Sequence, residues 1–449
     1  MSFMSATFTL TPEQLALQEV RRLKKDKAAT SAGAASSTAP GTLVNNEKGQ
    51  IVPRPWLALQ DSPSPTNGTR PVKIMTWNLL AQCLVRRELF PNCGCLKSSQ
   101  REPMLYKEIL SADADILCLQ EVDRLEKLIP VLEEANYDHV YASGPGKKHG
   151  CLIGFRKDSL RIRNQSVLHY DDIDIRTDGT EHSRKGLSFQ TRNIANVVAL
   201  ERLGQPSEGF IVATTHLFWH PSYAYERARQ AGILLREVIK YRESSGLLSW
   251  PCFLAGDFNF GPTEPGYALL VGDTLTPAQE ELLERSRVVH VSVDPTVPLT
   301  NPFATNDDED GGAQTDPDKV ITNAREASPA DGLLKSSELV DLFAVTALRP
   351  RSLYDEGQRL LEKISSPVPR CGERMGLPPH KRGAYEPEWT CYTHYWKNVL
   401  DYIWVIDPPD RRASVVRLLQ PHATENLHPG LPRKGVSGSD HVSLAAEVQ

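Results

Sequence analysis

The stretch PCFLAGDFN, residues 251–259, decides how this chain is read. Six small or apolar residues end abruptly in an aspartate and an asparagine separated by one phenylalanine. A short apolar run of this kind, bounded by a turn signal, predicts a buried strand. Asp257 then has two readings. Asp and Asn form Asx-turns and tolerate unusual backbone angles, so an Asp after a strand is ordinary punctuation. In an extended segment, by contrast, residues two apart face the same side. Asp257 and Asn259 would then address one ligand together while Phe258 turns into packing.

The pattern recurs. MTW runs into Asn78, ILCLQ into Glu121 and IVATT into His216. Asp401 opens the run YIWVI, and Ser439-Asp440-His441 leads into VSLAAEV. Each polar group abuts a run that belongs in a sheet, so all of them can emerge along one edge. Buried charges have to be paired, hydrogen-bonded or placed on a metal, and six such junctions point to a shared site. Between the strand-like runs lie helical patterns, as in REPMLYKEILSA (101–112) and YERARQAGILLREVIKYRES (225–244). This alternation predicts one layered α/β domain over residues 71–449.

The remaining sequence narrows the class. A net charge of −5 over 449 residues gives no general attraction to polyanions, so such a partner needs a local basic patch. No apolar run approaches the roughly 18 residues of a membrane span. The start, MSFMSATFTLTPEQ, lacks the features of a secretory signal. Eight scattered cysteines with one C-x-C pair, Cys93 and Cys95, indicate a reduced intracellular protein. The expected compartment is the cytoplasm, with nucleus and mitochondrion as alternatives.

Residues 1–70 are expected to form a flexible basic tail with a short helix starting at Thr11-Pro12. Its Arg and Lys residues either touch RNA or stay solvated. A polar stretch at 294–331 reads as a solvated insertion, because Asp307 to Asp310 lack the ligand spacing of an EF-hand. Residues 350–390 read as loop-rich.

The residue types at the junctions select a chemistry. Carboxylates and amides without a cysteine cluster favour a hard cation such as Mg²⁺ over zinc. Asp, Asn and two His residues suit transfer at phosphorus: an Asp activates water and histidine N–H groups stabilise the pentacovalent charge. The chain has no G-x-x-x-x-G-K-[ST] loop, no G-x-S-x-G elbow and no H-E-x-x-H helix.

WNLLAQ, LQEVD, THLFWHP, GDFN, LDYI and SDHVSL, in that order, resemble the endonuclease/exonuclease/phosphatase superfamily of DNase I-like enzymes. NLLAQ, HLFWHPSYAYERARQ and YTHYWKNVLDYIW look like its RNA 3′-exonuclease and deadenylase branch, and the tail LPRKG…SDHVSL looks like the fungal NGL type. The resemblance implies a four-layer α/β sandwich, two packed mixed sheets flanked by helices. It implies Glu121 as main Mg²⁺ ligand (Mn²⁺ as alternative), with Asn78 beside it and Asp440 near the metal. Asp257 would orient or deprotonate water and Asn259 would hold the phosphate. His216 and His441 would stabilise the scissile group, His441 being oriented by Asp401.

Substrate-side candidates are Arg227, His220, Asn193 and Trp396, followed by Arg86, Arg87, Arg101 and Arg229. For Trp396, Trp219 and Tyr392, base stacking and core packing stand equally. The implied activity is 3′→5′ trimming of single-stranded RNA, with no membrane partner. A nocturnin-like phosphatase of a phosphorylated dinucleotide and a 2′–5′ phosphodiesterase are the alternatives.

Overall fold

The apolar runs become strands because each is covered on both faces, which is why they read as continuous rather than alternating. The computed structural model describes residues 49–59, 70–299, 320–364 and 368–449. In chain order the strands are β1 (Trp56–Ala58), β2 (Val72–Asn78), β3 (Ile116–Val122), β4 (Tyr137–Ala142), β5 (Gly150–Arg156), β6 (Leu160–His169), β7 (Ile194–Arg202), β8 (Gln205–His216) and β9 (Cys252–Asp257). They continue with β10 (Val288–His290), β11 (Ala324–Glu326), β12 (Arg351–Ser352), β13 (Cys391–Tyr392), β14 (Lys397–Asn398), β15 (Asp401–Ile406), β16 (Val415–Leu419) and β17 (Leu444–Val448).

Two sheets result. One has the order β1-β16-β17-β2-β3-β5-β4, the other β12-β15-β9-β8-β7-β6. Only β2–β3 and β8–β9 are parallel among these pairs, so both sheets are mixed. Between the sheets, Ile74, Ile116 and Cys118 pack with Val198, Val212, Phe253, Ala255 and Ile403. Alternate residues face outward: Leu117 and Leu119 meet the helices Ser98–Ala112 and Leu125–Glu134. Leu254 and Trp404 meet the helices Ala224–Ser244 and Pro265–Val271. The architecture is the four-layer sandwich, ordered helix, sheet, sheet, helix.

Three expectations about boundaries change. The catalytic unit starts before residue 71, because β1 pairs antiparallel with β16 and Arg54 forms an ion pair with Glu108. Those contacts tie the segment to the first sheet, although its three-residue strand is too short to show a period. Residues 1–48, including the expected helix start at Thr11, lie outside the described residues.

The flanks of the expected insertion are also built into the fold. β10 pairs with β11, and Arg325 of β11 bridges Asp294 and Asp331 at 2.8 and 2.7 Å. The acidic run Asp307 to Asp310 lies outside the described residues. Finally, the loop-rich stretch contains the helix Leu353–Ile364. Its Leu353, Tyr354 and Leu361 close the side of the inter-sheet core, which drives the helix into place. Among the described residues no helix is long and apolar enough to cross a membrane.

Candidate active site

Strand register assembles half of the site without help from side chains. β8 and β9 run parallel, so their last residues, His216 and Asp257, are neighbours. β15 runs the other way, so its first residue, Asp401, sits on the opposite side of Asp257. Three polar residues thus stand in a row at one end of the second sheet. In the first sheet, parallel β2 and β3 bring Asn78 and Glu121 to that same end, and His441 precedes β17, which returns beside β2.

Glu121 leaves the strand pattern. Its φ is 54°, and the β3–β5 register slips between Leu119 and Val122. A left-handed backbone at a non-glycine residue costs roughly 1 kcal/mol or more and persists where the surroundings impose it. Here they do: Glu121 Oε2 accepts from Ala81 N at 2.8 Å, and Oε1 accepts from Asn78 Nδ2 at 2.8 Å. The same Asn78 amide donates to Asp257 Oδ2 at 3.0 Å, while its oxygen accepts from Leu80 N. Asn78 therefore spans two buried carboxylates with its N–H₂ group. In this orientation it holds the two carboxylates in place.

Asp257 is 1% exposed. Its Oδ2 faces His216 Nε2 at 3.6 Å and His441 Nε2 at 3.7 Å. His441 Nδ1 lies 2.8 Å from Asp401 Oδ2, which fixes the ring with Nδ1–H donating to that carboxylate. Burial alone pushes the His441 imidazole down. Asp401, Cys391, Asp440 and Asp257 outweigh it and hold the imidazole well above its ordinary range. Burial, and then the neighbouring Asp401, push the Asp257 carboxyl above the usual carboxylate range, opposed by His441, Asn78 and the Asn259 N–H.

Asn259 corrects the geometry expected from DFN. β9 ends at Asp257, and Asn259 has φ 52°, so the segment is not extended there. Asp257 Oδ1 accepts from Asn259 N at 3.0 Å, which is an Asx-turn. Phe258 is buried against the helical layer as expected. The Asn259 amide donates to Leu217 O at 3.0 Å, locking this turn to the segment after His216. The turn and the carboxylate that faces both imidazoles thus belong to one residue.

Of the substrate-side candidates, Arg227 and His220 are placed elsewhere. Arg227 is 1% exposed and is consumed by His220 O, Pro221 O and Glu264. It pins the turn after His216 because its helix is buried on nearly every face. His220 is buried among Phe218, Trp219 and Tyr223. Arg229 and Arg101 are likewise internal. Arg229 pairs with Glu226 at 3.0 Å, and Arg101 donates to Leu79 O, Leu80 O and Gly438 O.

Asn193 does line the site, in a cleft with Glu121, His216, Lys147, His149 and Arg192. Lys147 Nζ donates to Asn193 Oδ1 at 2.5 Å. Trp396 is half-buried in the hairpin between β13 and β14. Asp440 is half-buried beside His441, and Ser439 Oγ donates to Asn78 O at 2.6 Å.

Sequence reasoning missed Lys147, His149 and Arg192. A signal for the first two was the Gly-rich GPGKKHG just before β5. Gln230 was also missed. Its oxygen accepts from Phe218 N at 3.0 Å and its nitrogen donates to Thr191 Oγ1 at 2.9 Å, which in turn accepts from Asn193 N. One buried amide so ties the His216 wall to the Asn193 wall.

Asp257 and Asp401 flank His441, and Glu121, which shares the Asn78 amide with Asp257, faces His216 Nδ1 at 3.9 Å. Oxygen donors carrying that excess of negative charge suit a hard divalent cation.

The pattern of the Endonuclease/Exonuclease/phosphatase family matches residues 75–441. A probable RNA exonuclease of Schizosaccharomyces pombe is 28% identical over 98% of this chain and 88% of its own. The RNA exonuclease NGL2 of Saccharomyces cerevisiae is 27% identical over 98% and 89%. The crystal structure of ANGEL2, a 2′,3′-cyclic phosphatase, shares the fold with TM-score 0.54 at 19% identity, over 89% of this chain and 99% of that one. The matched stretch runs from the strand that carries Asn78 to His441 itself, and the chain belongs to the Endonuclease/Exonuclease/phosphatase family of hydrolytic phosphodiesterases.

Proposed function

We propose that the chain is a Mg²⁺-dependent 3′→5′ exoribonuclease that trims single-stranded RNA and releases nucleoside 5′-monophosphates. The observation that carries the reading is the row His216–Asp257–Asp401 with His441 above it. A carboxylate flanked by two imidazoles offers in-line attack of water on a phosphodiester both a proton acceptor and donors for the developing charge. Asp257 Oδ2 orients the water and receives its proton. His441 Nε2–H and His216 donate to the non-bridging oxygens, where negative charge develops. Asp401 keeps His441 in the donating form, and Asn78 keeps Asp257 and Glu121 in place. The bond formed is from the water oxygen to phosphorus and the bond broken is O3′–P, so the phosphate leaves with the terminal nucleotide and the departing O3′ takes a proton from solvent water.

Glu121 and Asp440 would hold Mg²⁺, or Mn²⁺, which supplies charge neutralisation at the phosphate when bound. RNA as substrate is supported by relatives named RNA exonucleases that match nearly the whole chain. The 2′–5′ reading has less support, because the human 2′,5′-phosphodiesterase 12 matches only 47% of this chain.

The test offers purified protein labelled oligo(A), mixed RNA, 2′–5′ oligo(A), DNA and NADPH. A ladder from the RNA 3′ end, stopped by chelator and restored by Mg²⁺ or Mn²⁺, is the expected result. Turnover of NADPH or of the 2′–5′ linkage alone would replace the reading, and support by zinc alone would remove the hard-cation argument.

A further inference from the structure

One side of the catalytic end is built from three loops. They are residues 79–97 after β2, residues 389–398 around the β13–β14 hairpin, and residues 426–440 before His441. The loops are woven together. Asn92 Nδ2 lies 3.1 Å from His394 Nδ1, Leu431 N donates to Tyr392 O, and Tyr392 N donates to Asp440 O. The buried Arg101 guanidinium joins the first loop to the third through Leu79 O, Leu80 O and Gly438 O. Their roots reach the catalytic residues directly, since Cys391 bridges to His441 and Ser439 holds Asn78.

The charge on these loops runs against that of the chain. In a protein of net charge −5, they carry six Lys and Arg residues and two acidic ones, Glu88 and Asp440. Arg87, Lys97, Lys397 and Lys434 are exposed. Arg87 donates to Cys93 O and Lys397 lies 4.7 Å over the Tyr392 ring, and among the described residues neither has a carboxylate partner. At the hairpin tip Tyr395 is 58% exposed, with its ring edge-on to His394 and Trp396. Unneutralised cations interleaved with an exposed aromatic ring match a single-stranded polyanion carrying stackable bases. They do not match an apolar protein surface.

We infer that these three loops form a track for the body of the RNA strand, upstream of the nucleotide being removed. The inference rests on the exoribonuclease reading, in which only one nucleotide lies beyond the scissile phosphate. A surface spread over three loops then serves the upstream side. The strand leaves the catalytic centre past Asp440, its phosphates meeting Arg87, Lys397 and Lys434, and an upstream base stacks on Tyr395.

The experiment compares full-length wild type with the triple variant Arg87→Ala/Lys397→Ala/Lys434→Ala on 4-mer and 20-mer RNA at several salt concentrations. Wild type should prefer the 20-mer. The triple variant should lose about tenfold of that preference through KM. Its salt slope for 20-mer binding should fall by about two, at roughly 0.7 for each phosphate no longer neutralised. Tyr395→Ala should weaken 20-mer binding with the slope unchanged, because stacking is not screened. A wild-type ladder with length preference and slope unaltered in the triple variant overturns the track. A wild type that makes no RNA ladder refutes the exoribonuclease reading instead.

Discussion

Two groups of buried carboxylates sit in this sandwich, and they are stabilised in opposite ways. At the open end, Asp257 and Asp401 share His441, and Asn78 joins Asp257 to Glu121. Away from it, Glu386 lies fully buried near Asp355, with the Tyr267 hydroxyl donating to it at 2.8 Å. Burial, then Asp355, push the Glu386 carboxyl up to about 8. The Ser352 and Tyr267 hydroxyls and the charge of Arg359 oppose that rise without overcoming it, so the carboxyl tends to keep its proton. The Asp257 group instead meets imidazole and amide donors, with Glu121 on a cleft that a cation or phosphate can reach. The same desolvation raises both carboxyls, a structural acid in one place and, on the proposed reading, a reactive base in the other; what differs is the nature and access of the compensating charge.

The largest effect expected from breaking this contrast is at Asp257. Asp257→Asn keeps the shape and the Asx-turn oxygen but removes the proton acceptor, so kcat should fall about 10³-fold or more. The melting temperature should shift by only a few degrees, because the relief of one of two adjacent buried carboxylates is offset by the Asn78 donor, which then meets an amide N–H₂ instead of an oxygen. Rates and melting curves on the same preparation check this. Activity within tenfold of wild type would remove Asp257 from the reaction.

At Glu386 the contrast is tested by stability rather than by activity. Its folded value, about 8, lies above the ordinary 4.5. The unfolded chain therefore releases the proton first, and stability declines from about pH 4.5 upward until the folded carboxyl also ionises near 8. Glu386→Gln removes the titration. The variant should gain stability relative to wild type as pH rises across that window, on the order of 4 kcal/mol by pH 8. Turnover should be unchanged. Parallel melting curves from pH 5 to 8 would show otherwise if the two proteins kept a constant offset.

These two groups were not equally legible in the sequence. Asp257, His216 and Asp401 each abut a continuous apolar run, and strand register then places them in a row without further information. Glu121 and Asn78 were visible for the same reason, but the left-handed turn at Glu121 and the amide bridge between sheets were not. Glu386 went unseen because residues 350–390 carry Pro and Gly signals that read as loop. Within that stretch Gly357 sits inside a helix. A Cβ there would meet Leu418 Cδ1 at 2.6 Å, so the glycine permits close packing of helix on sheet rather than a turn. Arg227 was misread because helical spacing does not reveal that a helix is covered on almost all sides.

The smallest effect expected separates the groups by cation. Mg²⁺ that binds the folded site and not the unfolded chain stabilises by RT ln(1 + [Mg²⁺]/Kd), about 1.4 kcal/mol at ten times Kd. Wild type should therefore melt a few degrees higher with Mg²⁺ than with chelator. Glu121→Gln should lose that shift, since an amide carries no charge to offset the cation's dehydration. Glu386→Gln should retain it in full, because that pocket is closed to solvent and its other carboxylate, Asp355, is already paired with Arg359. If Glu121→Gln kept the wild-type shift, the ion would sit elsewhere. If Glu386→Gln lost it, the two groups would be one electrostatic unit and the distinction between a structural acid and a reactive base would fail.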